Sequence, residues 1–447
     1  MSETGATLVD VSGEFINQHI LQSDTKKDEA CVDVNQIPEW LNKNLLEDVL
    51  CQHFKSRDIR VKFLKVMHCG GKGENFASVM YRVGTYYFHQ KSPEKIDFIS
   101  CILKTLPQND LALDKLGSGN YNVQNKEMIF YQQIIPEFED ILGTIGEDGK
   151  TFPKVMAVYL DLNLIVLEDL NERNFVMANR LKGLDMNHVK LSLKCLARMH
   201  AASVVLHDKD KNVFKNFDTG FYTRRTDAFH VFFKSSLEVL AKEIANWTDW
   251  DESSYYAKKL TALVPNLIEK GRKSFDCEDG DFNCLNQGDL WTNNVMFQYE
   301  APNNPKKAVI LDFQFFFFGS AALDLHYFLF TSVHDDMRLE KMDEMVRFYY
   351  NEVKQLLTRL NYDMKKFPSL HNFQVQVLKK LFYAFSSCMI TFPIHICEDE
   401  EADFEALMCT DARAIGFKSR IYANPRFKQI AMKMLPMFDG KGVLDEL

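Results

Sequence analysis

The alternation of apolar and polar positions changes character along the chain. Residues 1–36 are polar and lack a clear period, which is typical of a tail. Ile37-Pro-Glu-Trp-Leu41 predicts the start of a helix, because proline is favoured in a first helical turn, and apolar positions continue to Leu50. We therefore expect the folded part of the chain to begin near residue 37.

The next part of the chain favours β-structure. Aromatic and β-branched residues dominate from Tyr81 to Phe88. In the strand that follows, Phe98 and Ile102 share a face with Lys104 at a period of two. One predicted helix, at about 123–135, interrupts the strands. The predicted strands lie within residues 63–88, 95–104, 151–159 and 164–167.

After Asp169 the strand signals fade and amphipathic helices take over. The predicted helices cover residues 185–206, 227–247, 253–274, 336–360 and 367–391. This order indicates an α+β fold with a β-rich N-terminal lobe and a mainly helical C-terminal lobe. The expected division is a polar tail (1–36), a β-rich N-terminal lobe (37–167) and a mainly helical C-terminal lobe (168–447).

A predicted β-hairpin interrupts the helical part. Val295–Tyr299 is aromatic and β-branched, and Ala308–Asp312 is a short apolar run. Residues 300–307 between them contain two prolines and two asparagines, which form turns. Folding this turn at its middle places Asn294 almost opposite Asp312, at the open end of the hairpin.

The residues at that open end suit phosphoryl transfer. An amide and a carboxylate, from Asn294 and Asp312, can supply the hard oxygen ligands that Mg²⁺ prefers beside a phosphate. Asp289, five residues before Asn294, can then accept the proton of an attacking hydroxyl group. Aspartate and asparagine are also common turn residues, but the second aspartate at the mirrored position of the hairpin favours the functional interpretation.

Two further charged residues point to a nucleotide. Lys104 ends an apolar strand, where a lysine commonly reaches solvent. Glu127 lies at helical spacing from Phe130 and Tyr131, on the apolar face of the predicted helix 123–135. Because an acid on an apolar face needs a partner, we expect a Lys104–Glu127 pair that positions the phosphates of ATP.

A glycine-rich stretch, residues 70–78, directly precedes the first long strand. Glycine lets backbone amides approach phosphates closely, so Gly71, Gly73 and Ser78 are candidate phosphate-binding residues. A plain turn is the alternative interpretation.

The buried strand Leu164–Leu167 ends in two acids, Glu168 and Asp169, before Leu170. We interpret this segment as the connector between the lobes, whose backbone at Glu168 and Leu170 can bind an adenine edge. The two acidic side chains can equally be solvated.

Three other features are interpreted as structural. His200 lies on a helix among small and apolar residues, which indicates a hydrogen-bonded core histidine. Asp324 is expected to bind nearby loop backbone. The run Phe315–Phe318 is expected in the core, although an acceptor pocket is the alternative because it directly follows the metal-binding motif.

Composition restricts the class of protein. The net charge of −9 over 447 residues argues against a nucleic-acid binder. The ten cysteines include no CxxC pair, which favours free thiols in a reducing compartment. No signal peptide is visible at the N-terminus, and the most apolar stretch, Phe313–Phe330, contains polar residues and does not predict a membrane span. These features predict a cytoplasmic protein; the oligomeric state is not indicated.

Taken together, the motifs resemble those of the insect ecdysteroid kinase-like group. This group is also described as choline-kinase-like, within the aminoglycoside phosphotransferase branch of the protein-kinase-like folds. The resemblance covers about residues 37 to 430. The segments that carry it are Ile37–Leu41, Gly73–Ser78, Cys101–Lys104, Glu127–Tyr131, Val166–Leu170, Leu196–Ala201, Asn286–Asn294 and Leu311–Gln314.

The resemblance implies a two-lobed, protein-kinase-like fold and an ATP- and Mg²⁺-dependent kinase of a small-molecule alcohol. It implies Asp289 as the catalytic base, Asn294 and Asp312 as metal ligands, and Lys104, held by Glu127, as the ATP lysine. The characterised acceptors of the family are ecdysteroid hormones. A choline or ethanolamine kinase is an alternative within the same fold.

One position departs from the family pattern. The family usually has histidine before Gly-Asp, where this chain has Gln287. In kinase-like folds that histidine supports the catalytic loop through hydrogen bonds. Glutamine also donates and accepts hydrogen bonds, so we expect weakened or retained activity. The departure keeps open a second hypothesis, a non-catalytic protein that binds a nucleotide or hormone.

Overall fold

The computed structural model describes residues 8–9, 37–69, 78–105, 123–225, 227–398 and 404–445. By its internal contacts the chain divides into two units. The first consists of residues 1–110 and 153–174, and the second of residues 111–152 and 175–447. The chain therefore passes between the units three times.

The first unit is built on one antiparallel sheet. Its strand order is β1-β2-β3-β4-β6-β5. The elements are β1 (Leu8–Val9), α1 (Lys43–His53), β2 (Ile59–His68), β3 (Val79–His89), β4 (Ser92–Thr105), β5 (Val155–Tyr159) and β6 (Leu164–Glu168).

Alternation along the strands places the core of this unit on one face of the sheet. In β3, Tyr81 and Val83 are buried with Leu103 of β4, as expected for a period of two. Helix α1 covers this face with its buried stripe of Leu46, Val49 and Leu50, which belong to the same hydrophobic cluster. The sheet and α1 thus enclose the hydrophobic core of the first unit.

The second unit begins with a helix that contains a π-helical turn and is otherwise mainly helical. The turn spans Phe130–Ile134, between α2 and α3. The helices are α2 (Val123–Ile129), α3 (Ile135–Gly143), α4 (Met186–Lys209), α5 (His230–Ala245), α6 (Ser253–Leu263), α7 (Leu267–Phe275), α8 (Ala321–Thr331), α9 (Met337–Glu340), α10 (Met342–Arg359), α11 (Leu370–Lys379), α12 (Leu381–Ser386), α13 (Phe392–His395), α14 (Phe404–Met408), α15 (Ala412–Tyr422) and α16 (Pro425–Asp439).

Two small antiparallel sheets lie within this helical unit. One has the order β10-β9-β7 and the other pairs β11 with β8. Their strands are β7 (Phe175–Met177), β8 (Asn283–Asn286), β9 (Val295–Ala301), β10 (Asn304–Ile310) and β11 (Phe317–Ser320). The segments that carry the candidate chemistry connect these short strands.

The structure confirms the α+β class, with the sheet first and the helices second. The element order agrees with the kinase-like fold that the resemblance implies. Strands 155–159 and 164–168 and helices α4, α5 and α10 confirm the predicted elements, although the long helices predicted at 253–274 and 367–391 are each broken into shorter ones. Helices α3, α8 and α14 to α16 and strands β7, β8 and β11 are among the elements that were not predicted.

Two expectations for the first residues need correction. Part of the expected tail pairs with the sheet, because Leu8 and Val9 lie opposite Lys65 and Leu64 of β2. The first helix begins at Lys43, not Ile37, since the Asn42 side chain accepts a hydrogen bond from the backbone N–H of Leu45 and caps it there.

The boundary between lobes expected at residues 167 and 168 stays a prediction. The contact-based division falls seven residues later, and it assigns residues 111–152 to the helical unit. Within that unit, Phe130 stacks on Phe313 with ring centroids 4.1 Å apart.

Within the described ranges, no single helix has both the length and the apolarity to cross a membrane. By these two criteria alone, the bent pair of segments Leu370–Lys379 and Leu381–His395 meets the requirement.

Candidate active site

The predicted hairpin is present, with a tighter turn than expected. Strands β9 and β10 are paired, with Val295 opposite Ile310 at the open end of the hairpin. Next to this pair, the backbone N–H of Leu311 donates to the Asn294 carbonyl at 2.8 Å. The strands extend to a two-residue connection at residues 302–303, where Asn303 adopts φ +62. Asparagine tolerates this left-handed conformation, so residues 300–307 are mostly strand. Asn294 therefore lies opposite Leu311, one residue before Asp312.

The Asn294 amide joins the hairpin to the loop of Asp289. Its Nδ2 donates to the backbone carbonyl of Asp289 at 2.8 Å and approaches Oδ2 of the same residue at 3.4 Å. Because Nδ2 is used in this way, the amide oxygen Oδ1 points away from Asp289. Asn294 thus lies next to both Asp289 and Leu311, and all of these residues belong to the second unit, as does Asp312.

The donors at the hairpin base fit a hard cation. An amide oxygen and a carboxylate, from Asn294 and Asp312, are ligands that Mg²⁺ accepts together with phosphate oxygens. Among the described residues, no group of three or more His, Cys, Asp or Glu side chains is arranged to hold a metal ion. Asp312 has φ +58, which turns the chain sharply after β10.

The Asp289 carboxyl group lies in a poorly solvated environment. Burial raises its pKa to about 8, and the negative charge of Asp312 adds to this shift. Hydrogen bonds from the Tyr327 hydroxyl group, 2.5 Å from Oδ1, and from Asn294 oppose it. A cation beside Asp312 would also oppose the rise in the pKa of Asp289, since a positive charge favours the charged carboxylate.

Gln287 connects the Asp289 loop to the residues after the hairpin. Its Nε2 donates to the backbone carbonyls of Leu311, at 3.0 Å, and Asp312, at 2.5 Å. Its Oε1 accepts from the backbone N–H of Asp289 at 2.7 Å. A neutral imidazole has one donor and one acceptor, so the glutamine forms one hydrogen bond more than histidine could form here.

Asp324 fixes the same loop from the other side. Its carboxylate accepts from the backbone N–H of Gln287 at 2.7 Å and of Gly288 at 2.9 Å. His200 Nε2 lies 3.1 Å from the same carboxylate, and its Nδ1 lies 2.5 Å from the Tyr349 hydroxyl group. Both residues are fully buried. The structural roles expected for His200 and Asp324 are therefore confirmed.

Gly288 allows two loops to approach each other closely. Its φ is +89, and a Cβ atom built there would lie 2.1 Å from the Phe315 carbonyl oxygen. Only glycine combines this backbone conformation with this approach. The loop before Asp289 is thereby held against the segment after Asp312.

Glu127, the predicted partner of Lys104, is completely buried and contacts the segment that follows Asp312. Its Oε1 accepts from the backbone N–H of Phe313 at 3.3 Å. Lys104 is buried in β4, paired with Met80 and Ile165 in the sheet of the first unit. Because Lys104 and Glu127 belong to different units, the Lys104–Glu127 pair stays a prediction.

The model of the ecdysteroid kinase-like family matches residues 72–362. The chain belongs to the ecdysteroid kinase-like family. No curated protein matches the sequence significantly.

Solved structures with similar folds include three phosphotransferases. An ethanolamine kinase of Plasmodium vivax is 11% identical, with a TM-score of 0.41, over 85% of this chain and 83% of that chain. A choline kinase of Cryptosporidium parvum Iowa II is 12% identical, with a TM-score of 0.40, over 90% and 98%. An aminoglycoside phosphotransferase, APH(4)-Ia, is 12% identical, with a TM-score of 0.30, over 84% and 98%. The activities in these names belong to those proteins.

Of the other predicted nucleotide-binding residues in this ecdysteroid kinase-like chain, Gly71 and Gly73 lie outside the described residues. Ser78 is buried directly before β3. The backbone N–H of Glu168 donates to the Lys154 carbonyl at 2.9 Å, so it is used within the sheet. Leu170 is buried at the start of a short 3₁₀ helix.

Both acids of the connector have side-chain partners in this family member, and Asp169 is buried whereas Glu168 is partly exposed. Asp169 is buried and accepts from Arg82 Nε at 2.8 Å and from the Ser100 hydroxyl group at 2.7 Å. The Glu168 carboxylate pairs with Arg173 at 2.9 Å. Both side chains thus hold the connector in place, and the binding of an adenine edge by its backbone stays a prediction.

Aromatic side chains pack around Tyr327, which contacts Asp289, in this kinase-like site. The Tyr327 ring stacks on Phe221 and Tyr383, with centroid distances of 5.9 and 6.1 Å. Phe315 lies 5.0 Å from Phe221 and is half-buried, whereas Phe316 is fully buried. In the phenylalanine run, Phe316 and Phe317 thus lie in the core, and Phe315 contacts Phe221 of the aromatic group around Tyr327.

The sequence did not reveal Tyr327 as a neighbour of Asp289. Its only signal is helical spacing, because it follows Asp324 by three positions and shares that face of α8. A predicted helix at 321–331 would have exposed this relation. The continuous apolar character of α8 concealed the helix, since a fully buried helix has no amphipathic period.

Proposed function

We propose that this protein is an ATP-dependent phosphotransferase that phosphorylates an alcohol group of a small molecule. The observation that carries the proposal is the arrangement of Asp289, Asn294 and Asp312 around the base of one hairpin. A carboxylate with a raised pKa lies beside an amide and a second carboxylate. This combination suits proton removal next to a metal–phosphate complex.

In the proposed reaction, the acceptor oxygen attacks the γ-phosphorus of ATP. A new P–O bond forms to the acceptor, and the bond from the γ-phosphorus to the β,γ-bridging oxygen breaks, which leaves ADP. Asp289 takes the proton of the acceptor hydroxyl group. Burial raises the pKa of Asp289, which makes its carboxylate a stronger base than that of an exposed aspartate.

Asn294 and Asp312 would hold Mg²⁺, which supplies positive charge next to the phosphates. Lys104, oriented by Glu127, would bind the phosphates from the sheet. Glu127 also binds the backbone of Phe313, and this contact would couple the lysine-orienting residue to the metal-binding segment.

The hydrogen bonds of Gln287 favour an active enzyme over a ligand-binding protein without chemistry. The side chain bridges Asp289 and Asp312 through three backbone contacts. The departure from histidine therefore preserves the support of the loop, and we expect turnover in the wild type.

For the acceptor, we propose an ecdysteroid or a similar hydroxylated compound, as the family implies. The aromatic side chains around Tyr327, next to Asp289, support a flat apolar molecule, because aromatic rings bury large apolar areas. They also favour a second candidate, a choline-type quaternary ammonium alcohol, since such cations bind to aromatic faces.

An acceptor screen with γ-labelled ATP tests the proposal. Steroid alcohols, choline, ethanolamine and other small alcohols are compared with and without Mg²⁺. We expect Mg²⁺-dependent transfer to at least one acceptor. In Asp289→Asn the rate falls by roughly 10²- to 10⁴-fold, because the general base is lost.

The variant Asp312→Asn should remove turnover as well. Asparagine tolerates the left-handed backbone at this position, so the loss reports the missing charge and not strain. Asp336→Asn, at an exposed acid of the same unit, is the control and should keep the wild-type rate. Absence of transfer to every acceptor by a folded wild type would refute the proposed function. Nucleotide binding in the same preparation would then support the ligand-binding alternative.

A further inference from the structure

Helix α8 contacts the catalytic loop at two positions one helical turn apart. Asp324, in its first turn, accepts hydrogen bonds from the backbone of Gln287 and Gly288. Tyr327, three residues later on the same face, donates its hydroxyl hydrogen to Oδ1 of Asp289 at 2.5 Å. One helix thus binds both the backbone of the loop and its reactive side chain.

The two oxygens of Asp289 are held differently. Oδ1 has the short hydrogen bond from Tyr327, whereas Oδ2 has only the 3.4 Å contact with Asn294 among the residues that the structure describes. Asn294 makes its shorter hydrogen bond to the backbone carbonyl of Asp289. Oδ2 is therefore the oxygen with the weaker intramolecular partner.

Tyr327 itself has little freedom to move. Its ring is buried, stacks on Phe221 and Tyr383, and has the His395 ring against it at 74° and 5.9 Å. His395 in turn stacks on Trp291, two residues after Asp289, at 3.9 Å. A hydroxyl group held in this way offers a donor at a fixed place, without the entropy cost of ordering a mobile side chain.

We propose that Tyr327 is a positioning residue that fixes the carboxylate of Asp289, so that Oδ2 faces the acceptor hydroxyl group and takes its proton. This inference rests on the proposed function. Tyr327 keeps its own proton throughout, and no proton passes from it to Asp289. Burial and the negative charge of Asp289 raise the pKa of Tyr327 well above its ordinary value, which agrees with a permanent hydrogen-bond donor.

The first test is a comparison of Tyr327→Phe with Tyr350→Phe. Each variant loses one hydroxyl hydrogen bond and keeps its ring. Tyr350 lies in α10, and its hydroxyl group donates to the Pro368 carbonyl and not to Asp289. We expect kcat to fall roughly tenfold to a hundredfold in Tyr327→Phe, because a hydrogen bond to a charged group is lost. The KM for MgATP should stay unchanged, and Tyr350→Phe should keep both values.

Introducing Tyr327→Phe into the Asp289→Asn variant distinguishes a positioning role of Tyr327 from a general effect on the stability of the fold. If Tyr327 acts through Asp289, Tyr327→Phe causes no further loss of the residual rate there. An equal loss in both backgrounds would show that Tyr327 acts on something other than Asp289, and this would overturn the inference.

A second readout needs no turnover. In the full-length protein with ¹³C-labelled aspartate carboxyl groups, the resonance that disappears in Asp289→Asn belongs to Asp289. At fixed pH it should shift in Tyr327→Phe and stay in place in Tyr350→Phe. An unmoved resonance in Tyr327→Phe overturns the inference whatever the activity. If the wild type transfers no phosphate, the proposed function fails and the resonance alone decides whether Tyr327 holds the carboxylate.

Discussion

At the scale of single residues, Gln287 shows how a side chain can be replaced without loss of its contacts. Its amide group has two donors and one acceptor within reach of three backbone groups. The sequence predicted that glutamine could donate and accept. It could not reveal that Leu311, Asp312 and Asp289 all lie around this side chain, because that depends on the close approach of two loops.

Replacing Gln287 by alanine should lower both stability and turnover. Three backbone groups lose their partner in a buried place, so the free energy of unfolding should fall by about 2–4 kcal/mol. The rate should fall roughly 100-fold, since the Asp289 loop is misplaced. Chemical denaturation and the transfer assay measure the two effects.

Gln376→Ala is a matched control for this prediction. Gln376 is equally buried and forms three similar hydrogen bonds, to the backbone N–H and carbonyl of Phe282 and to the Ser320 hydroxyl group. It should lose comparable stability and keep its turnover number. A similar loss of turnover in both variants would count against a specific role of Gln287.

The raised pKa of Asp289 predicts a pH dependence of stability in the absence of Mg²⁺. The folded state holds this proton up to about pH 8, whereas an unfolded aspartate releases it near its ordinary value of 3.8. Between these values the folded state binds more protons, so the stability that this group contributes is lost as the pH rises through about 8. In Asp289→Asn this loss is absent.

Thermal unfolding of both proteins without Mg²⁺ measures this effect. The melting temperature of Asp289→Asn relative to the wild type should rise between about pH 6 and about pH 9. A constant difference over this range would show that the carboxyl group is already charged at the lower pH.

At the scale of elements, sequence patterns were sufficient where one face is apolar and the other polar. The hairpin and the long helices such as α4 and α10 follow from such patterns. Short strands such as β8 and β11 have too few residues for a period, and α8 is buried on all sides. The site depends on these elements, and for this reason the sequence predicted Asp289, Asn294 and Asp312 but not Tyr327.

The approach of the Gly288 loop to Phe315 predicts a large effect of a single methyl group. Gly288→Ala places Cβ 2.1 Å from a backbone carbonyl oxygen, so one of the loops must move. Gly280 has a similar φ of +86, with nothing within 4 Å of the added atom. Gly280→Ala should therefore lower the free energy of unfolding by only about 1 kcal/mol, because alanine is disfavoured in the left-handed backbone conformation.

Gly288→Ala should lose at least about 2 kcal/mol more than this control, because backbone must shift. It should also lose most of its transfer activity, whereas Gly280→Ala retains it. Equal stability of the two variants, measured by denaturant unfolding, would show that the loops separate without cost.

At the scale of the whole molecule, binding of MgATP should stabilise the folded state. At a concentration about 100-fold above Kd the expected gain is about 2.7 kcal/mol, which raises the melting temperature. Asp289→Asn should retain the increase, since the proposed base does not hold the nucleotide, and Asp312→Asn should lose the part that depends on Mg²⁺. Melting curves with ATP plus Mg²⁺ and with ATP plus chelator distinguish the two variants.

The division of the chain also predicts how fragments behave. A fragment of residues 168–447 lacks Phe130 and Phe138, so Phe313 loses its stacking partner. Loss of a large aromatic contact costs about 3–5 kcal/mol, and we expect this fragment to aggregate. Adding residues 111–152 on a separate chain should restore solubility, as measured by sedimentation. A soluble, folded 168–447 fragment would instead support the boundary expected from the sequence.

The backbone at Asp312 has a consequence for the descent of such proteins. A left-handed conformation is tolerated by aspartate, asparagine and glycine and disfavoured for most other residues. Codons for asparagine and glycine differ from an aspartate codon by a single nucleotide. Gene duplicates could therefore lose the metal-binding charge in one step and still fold. Inactive relatives should accordingly carry Asn or Gly at this position more often than bulky residues, while the hairpin beside it stays intact.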